Sequence, residues 1–182
     1  DTMVLVAATA APGSGVGADF FPLSVFYVEK AYAAGRIPGG FFKREARLSD
    51  SETLISRIID RPLRPSFHEN YLAETLIVAT VLSHDLEVPS DVAAMIGASA
   101  ALSVSDIPLL QPIGGIRVGM IDGEFITNPN PEEITNSQMN IFMAGSRDAI
   151  LMVEGEANEV SESVMLDALW YGHEQIQPII DM

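Results

Sequence analysis

Short apolar runs alternate with Gly/Pro/Ser-rich breaks along the whole chain, and the spacing within each run names the element. Met3 to Thr9 is apolar and β-prone, Leu23 to Tyr32 repeats the pattern, and Thr75 to Ser83 is the strongest strand signal. Between the first two, Ala10 to Ala18 is a loop of small residues containing Gly13-Ser14-Gly15-Val16-Gly17. Its spacing is GxGxG, and a strand follows where a dinucleotide site needs a helix. It is therefore expected to be a hairpin tip. Gly35 to Arg47 is a loop around Pro38-Gly39-Gly40, where the backbone is free to approach another group closely.

Helical periodicity begins at Ser49-Asp50-Ser51-Glu52, a capping box. The predicted helix carries Leu54, Ile55, Ile58 and Ile59 on one face and stops before Pro62. Arg57 and Arg61, four residues apart, share another face. Ser90 is predicted to cap a helix from Asp91 to about Ser103, whose Gly97, Ala98, Ala100 and Ala101 permit a close neighbour. Asp122-Gly123 between Gly115–Ile121 and Glu124–Thr127 is a type I′ hairpin signal. Met139–Ala144 and Ile150–Glu154 form a second hairpin around 145–148. Glu132-Glu133 is a helix start or an exposed turn, and Ser161 opens a last helix that can run to Met182. Strand runs and helix runs are segregated, which predicts an α+β domain, a mixed β-sheet packed with helices, over residues 1–182.

Composition adds mainly exclusions. With 182 residues and 48% hydrophobic, the chain can bury a core without staples, and it is not disordered. The absence of Cys removes disulfides, thiolate zinc sites and cysteine nucleophiles. No apolar run is long enough to span a membrane. The first residue is Asp and an apolar run follows at once, so the chain reads as entered in mid-strand, with an upstream piece expected.

Charge changes the picture most. The formal net charge is −15, which disfavours nucleic acid. Yet eight of the ten basic residues fall between Lys30 and Arg64, against four acids there. That window is positive by four, and the remainder is negative by 19. Phe41-Phe42 directly precede Lys43-Arg44, a pairing of rings and cations suited to unpaired bases and their phosphates. Arg57 and Arg61 could be surface ion-pair partners, but with Arg64 nearby they read better as an anion clamp. No catalyst is visible. His68, His84 and His173 match no metal spacing, and no GxSxG, Walker or HExxH motif occurs.

Long segments carry a resemblance. Asp19-Phe20-Phe21-Pro22-Leu23, the stretch from Tyr32-Ala33-Ala34-Gly35-Arg36-Ile37-Pro38-Gly39-Gly40 to Phe41-Phe42-Lys43-Arg44-Glu45, Ser56-Arg57-Ile58-Ile59-Asp60-Arg61-Pro62-Leu63-Arg64-Pro65, Met95-Ile96-Gly97-Ala98-Ser99 and Asn128-Pro129 resemble the polynucleotide phosphorylase family. The similarity is to the first of its two RNase PH-like core domains.

The resemblance implies a phosphorolytic 3′–5′ exoribonuclease acting on single-stranded RNA in mRNA degradation. Inorganic phosphate is the co-substrate, and nucleoside diphosphates are released. It further implies Mg²⁺ bound outside this segment, a homotrimeric ring that includes a second core domain, no membrane, and a cytoplasmic location with organelles possible. The family's RNA loop corresponds here to Phe41-Phe42-Lys43-Arg44, where Lys43 keeps the charge of the commoner Arg but loses its fork. The family's phosphate-holding serines correspond to Pro89-Ser90-Asp91, and its catalytic and metal residues to Ile134, Asn140 and Phe142 on one strand. Those residues are poor ligands for Mg²⁺. The expectation is thus a noncatalytic half, with Phe41, Phe42, Lys43, Arg44, Arg57 and Arg61 contacting RNA. The alternatives are an assembly domain without RNA contact and, more remotely, an independent enzyme acting on a small phosphorylated metabolite.

Overall fold

Four layers stack in the order sheet, helices, sheet, helix. The structure, a computed structural model, describes residues 2–12, 19–39, 45 and 47–182. In chain order the elements are β1 (Met3–Ala10), β2 (Leu23–Glu29), α1 (Asp50–Leu63), β3 (Thr75–Ser83), α2 (Ser90–Ser103), β4 (Gly114–Ile121), β5 (Glu124–Thr127), α3 (Pro131–Asn136), β6 (Met139–Gly145), β7 (Ile150–Ala157) and α4 (Glu162–Ile180).

The first sheet has the order β1-β3-β2, with β1 antiparallel and β2 parallel to β3. This corrects the hairpin expected between the first two strands, because β3 lies between them. A parallel β2–β3 pair needs a long crossover, and α1 supplies it. The GxGxG stretch of that expectation, residues 13–18, lies outside the described residues. The second sheet is an antiparallel meander, β5-β4-β6-β7. Its first turn is as predicted, with both Asp122 (φ 52°) and Gly123 (φ 82°) left-handed.

Helix α2 is apolar on all sides, so both its faces are buried. Gly97 sits against Val6 of β1, where an added Cβ would lie 2.7 Å from Val6 Cγ2. On the other side Met95 fills the space above Gly115 of β4. One core cluster therefore runs from Tyr27, Ile77 and Val81 of the first sheet, through Ile59, Met95 and Leu102, to Phe142 and Ala144 of the second. A second cluster lies beyond that sheet, where Ile116, Val118, Ile141 and Met143 pack beneath Ala168 and Ile176 of α4.

Three element ends depart from the sequence reading. α1 continues through Pro62 to Leu63, because Pro62 and Leu63 are both buried and the proline falls in the last turn. Ser90 does not cap α2. Its hydroxyl instead hydrogen-bonds the Tyr27 hydroxyl at 2.6 Å, and Pro89 takes the cap position. β2 ends at Glu29, and Ala31–Ala34 is a 3-10 turn closed by left-handed Gly35. Ser49 with Glu52 and Asn130 with Glu133 form complete capping boxes, and Ser161 caps α4.

Candidate nucleic-acid interface

α1 lies along the open edge of β2, and residues spaced four apart on the helix hold that edge. The Glu29 N–H donates to Glu52 Oε1 at 2.7 Å, and the Tyr27 N–H donates to Ser56 Oγ at 2.9 Å. One turn beyond Asp60, Arg64 donates to the Leu23 and Phe21 carbonyls at 3.0 and 2.9 Å. Side chains of one helix stripe thus stand where a neighbouring strand's backbone would be. Arg64 is further committed to both oxygens of Asp60. Burial pushes the Glu52 carboxyl up, but the Ser49 and Glu29 N–H groups outweigh it and hold the group below its ordinary value.

The basic residues separate by partner. Arg61 Nη1 meets Glu154 Oε2 of β7 at 2.7 Å, tying the middle layer to the second sheet across an exposed rim. Arg57, exposed on the same helix, forms no ion pair among the described residues. It borders a groove of ≈ 240 Å³ with Val25, Phe26, Thr53 and Asp60. Lys30 and Arg36 likewise form no ion pair there, and with His84 they line a cavity of ≈ 290 Å³ beside Glu29 and Glu45. Phe41, Phe42, Lys43 and Arg44 lie outside the described residues. Arg36 and Glu45 approach that segment in sequence and share this cavity.

The positions compared with a catalytic site converge behind β2 on a buried polar cluster. Arg117 of β4 pairs with Asp91 of α2 and donates to Asn140 Oδ1 of β6 at 2.6 Å. Its guanidinium also lies 5.6 Å over the Phe142 ring. Ser90 and Glu29 hold the Tyr27 hydroxyl, which burial and the neighbouring Glu29 and Asp91 charges keep far above the ordinary phenol range, against a smaller opposing pull from Ser90. Ile134 is not on the strand with Asn140 and Phe142; it lies in α3.

The oxygen donors in this cluster, Asp91 and Asn140, already hold a guanidinium, so these residues do not fit a divalent cation. Among the described residues no group of three His, Cys, Asp or Glu could hold a metal. No helix there is long and apolar enough to cross a membrane. The sequence reading missed Arg117, whose signal was a lone charge inside the apolar run Gly114–Ile121.

Residues 1–108 match the 3′ exoribonuclease family, domain 1, and residues 111–175 match its domain 2. The chain belongs to the 3′ exoribonuclease (RNase PH) family. Its α+β fold is the RNase PH-like fold, since the structure superposes on rice (Oryza sativa) Rrp46 with a TM-score of 0.76 at 19% identity, covering 100% of this chain and 81% of that one. Polyribonucleotide nucleotidyltransferase of Geobacter sulfurreducens is 57% identical over 181 residues, and that of Rhodospirillum centenum is 53% identical over 182. Each match covers 100% of this chain and 26% of the relative, so this RNase PH-family chain spans about a quarter of the length of those relatives.

Proposed function

We propose that this chain is the first, noncatalytic RNase PH-like half of a polyribonucleotide nucleotidyltransferase, a phosphorolytic 3′–5′ exoribonuclease of mRNA degradation. Whole-chain similarity to enzymes of that name supports the parent activity. One observation carries the division of labour. Arg117 engages Asp91 and Asn140, so these two side chains offer neither a free carboxylate for a proton nor open oxygens for Mg²⁺. In this reading, inorganic phosphate attacks the terminal phosphodiester on a second core domain, which binds Mg²⁺. The 3′ oxygen of the shortened RNA leaves, and a nucleoside diphosphate is released.

This half supplies cations and rings along the channel of a homotrimeric ring in the cytoplasm. Phe41 and Phe42 stack on bases, and Lys43 and Arg44 hold phosphates. Arg57 is exposed, forms no ion pair among the described residues, and is placed to meet a phosphodiester. Arg61 contributes from its Glu154 pair, which RNA would have to share or displace. That intrachain pair also weighs against the assembly reading, in which Arg61 would meet acidic groups of a neighbouring subunit.

The test has two arms. The chain alone, given poly(A), phosphate and Mg²⁺, is expected to release no nucleoside diphosphate, and to raise the activity of the second core domain when the two are mixed. In the complete enzyme, Lys43→Ala with Arg44→Ala is expected to weaken binding of long RNA and flatten its salt dependence. Activity from the chain alone, or unchanged affinity at every salt concentration, would overturn the proposal.

A further inference from the structure

We propose that Phe26 and Arg57 form a subsite for one nucleotide of single-stranded RNA, in which the Phe26 ring stacks on the base and Arg57 holds the adjoining phosphate. The inference rests on the RNA reading of Arg57 and adds to it a base contact outside the 41–44 loop.

The seam between β2 and α1 builds the subsite. β2 is an edge strand of its sheet, and α1 runs along its open side. Alternation turns Tyr27 into the core and Phe26 to the opposite side, where it is 44% exposed. The Tyr27 N–H, which follows Phe26 directly, donates to Ser56 Oγ at 2.9 Å, and Arg57 is the next residue on the helix. That bond brings the two neighbours, Phe26 and Arg57, to one groove of ≈ 240 Å³. Val25, Thr53, Asp60 and Arg64 also line it.

Charge and ring together choose the occupant. Arg64 and Asp60 neutralise each other at 2.7 Å, whereas Arg57 forms no ion pair among the described residues. These side chains thus leave the groove one uncompensated cation, in a chain whose formal net charge is −15. An apolar segment laid over the groove would bury that guanidinium without a partner, which is costly. A phosphodiester pairs with it through charge-assisted hydrogen bonds. The exposed ring beside it offers a face on which any base can stack, so the contact is indifferent to sequence. Such a contact suits the 3′ exoribonuclease family, where successive nucleotides of any identity must pass.

The experiment is equilibrium binding of oligoadenylate to the complete enzyme, without phosphate, across a salt series. Phe26→Ala is expected to weaken binding by roughly 5- to 150-fold, the loss of one base–aromatic stack. Its salt slope is expected to match wild type, because no charge has been removed. Phe26→Tyr keeps the ring and is expected to bind as wild type does. With a single abasic site moved along the oligonucleotide, one position should weaken wild type yet cost nothing further in Phe26→Ala. Sedimentation is expected to show the same assembly for all three enzymes. Unchanged affinity in Phe26→Ala, a Phe26→Tyr enzyme no better than Phe26→Ala, abasic penalties identical in wild type and Phe26→Ala, or a loss that tracks disassembly would each overturn the subsite. If Lys43→Ala with Arg44→Ala weakens binding and Phe26→Ala does not, the subsite fails alone. If neither weakens it, the RNA reading fails as well.

Discussion

Ser56 accepts a hydrogen bond from the backbone N–H of Tyr27, 29 residues earlier, and so one helix hydroxyl does the work of a missing strand. Ser56 Oγ also donates to the Glu52 carbonyl at 2.7 Å, which fixes its orientation. Ser56→Ala leaves the Tyr27 N–H buried without an acceptor. The expected cost is about 1–3 kcal/mol, read as a lower urea midpoint at unchanged m-value. An unchanged midpoint would mean that water replaces the hydroxyl.

Glu52 extends the same stripe and adds pH dependence. One oxygen accepts from Glu29 and the other from the N–H of Ser49, both at 2.7 Å. Its folded pKa is depressed, so the unfolded chain takes up its proton first as pH falls. The contribution is fully present above the ordinary carboxylate value and is lost as pH drops through the folded pKa. Glu52→Gln is expected to cost about 1–3 kcal/mol at neutral pH, because its amide turns a donor toward one of the two N–H groups. The gap to wild type should close in acid. A gap that stays constant from neutral to acidic pH would place the effect in packing instead.

Arg117 and Asp91 form the most buried ion pair among the described residues. Arg117→Met is expected to destabilise by about 3–5 kcal/mol, since Asp91 is left buried and uncompensated. Adding Asp91→Leu to that variant should recover most of the loss, because a buried pair replaced as a unit is often neutral. A double variant no better than the single would show that the cluster is held by Asn140 and Phe142 rather than by charge.

What the sequence showed depended on how local the cause was. Ser49 with Glu52, Asp122 with Gly123, and Ser161 are readable because each signal and its effect lie within a few residues. Ser90 misled because a serine before a helix carries the same pattern whether its hydroxyl faces the helix N–H groups or a tyrosine 63 residues away. The strand order misled for the same reason, since β3, which follows β2 only after the α1 crossover, inserts between β1 and β2. At the candidate site, the clustering of cations was legible in the chain. Which of them are neutralised was not, because Glu154 lies 93 residues from Arg61.

Gly97 shows a tertiary constraint that the small-residue pattern did foreshadow. An added Cβ would lie 2.7 Å from Val6 Cγ2, so this β-branched side chain, packed against the core, would have to shift to admit it. Gly97→Ala is expected to cost about 1–3 kcal/mol by overpacking, despite the higher helix propensity of alanine. Val6→Ala in the same chain should relieve it, as a thermal-melt double-mutant cycle would show. Additive losses would mean that the helix and sheet do not meet at this point.

Arg57 and Arg61 separate a nucleic-acid contact from a structural one. Arg57 forms no ion pair among the described residues, so Arg57→Ala is expected to change stability by less than about 0.5 kcal/mol. In the complete enzyme it should weaken binding of long RNA and reduce the salt slope by about one unit, the signature of one lost phosphate contact. Arg61→Ala removes a mostly exposed pair with Glu154, expected to cost about 0–1 kcal/mol of stability. Because Glu154 already neutralises Arg61, Glu154→Gln should tighten RNA binding if Arg61 reaches the strand, and should leave it unchanged if Arg61 only ties α1 to β7. Filter binding across a salt series, run on Arg57→Ala, Arg61→Ala and Glu154→Gln together, distinguishes these outcomes. An Arg57→Ala enzyme with the wild-type salt slope would remove Arg57 from the RNA path.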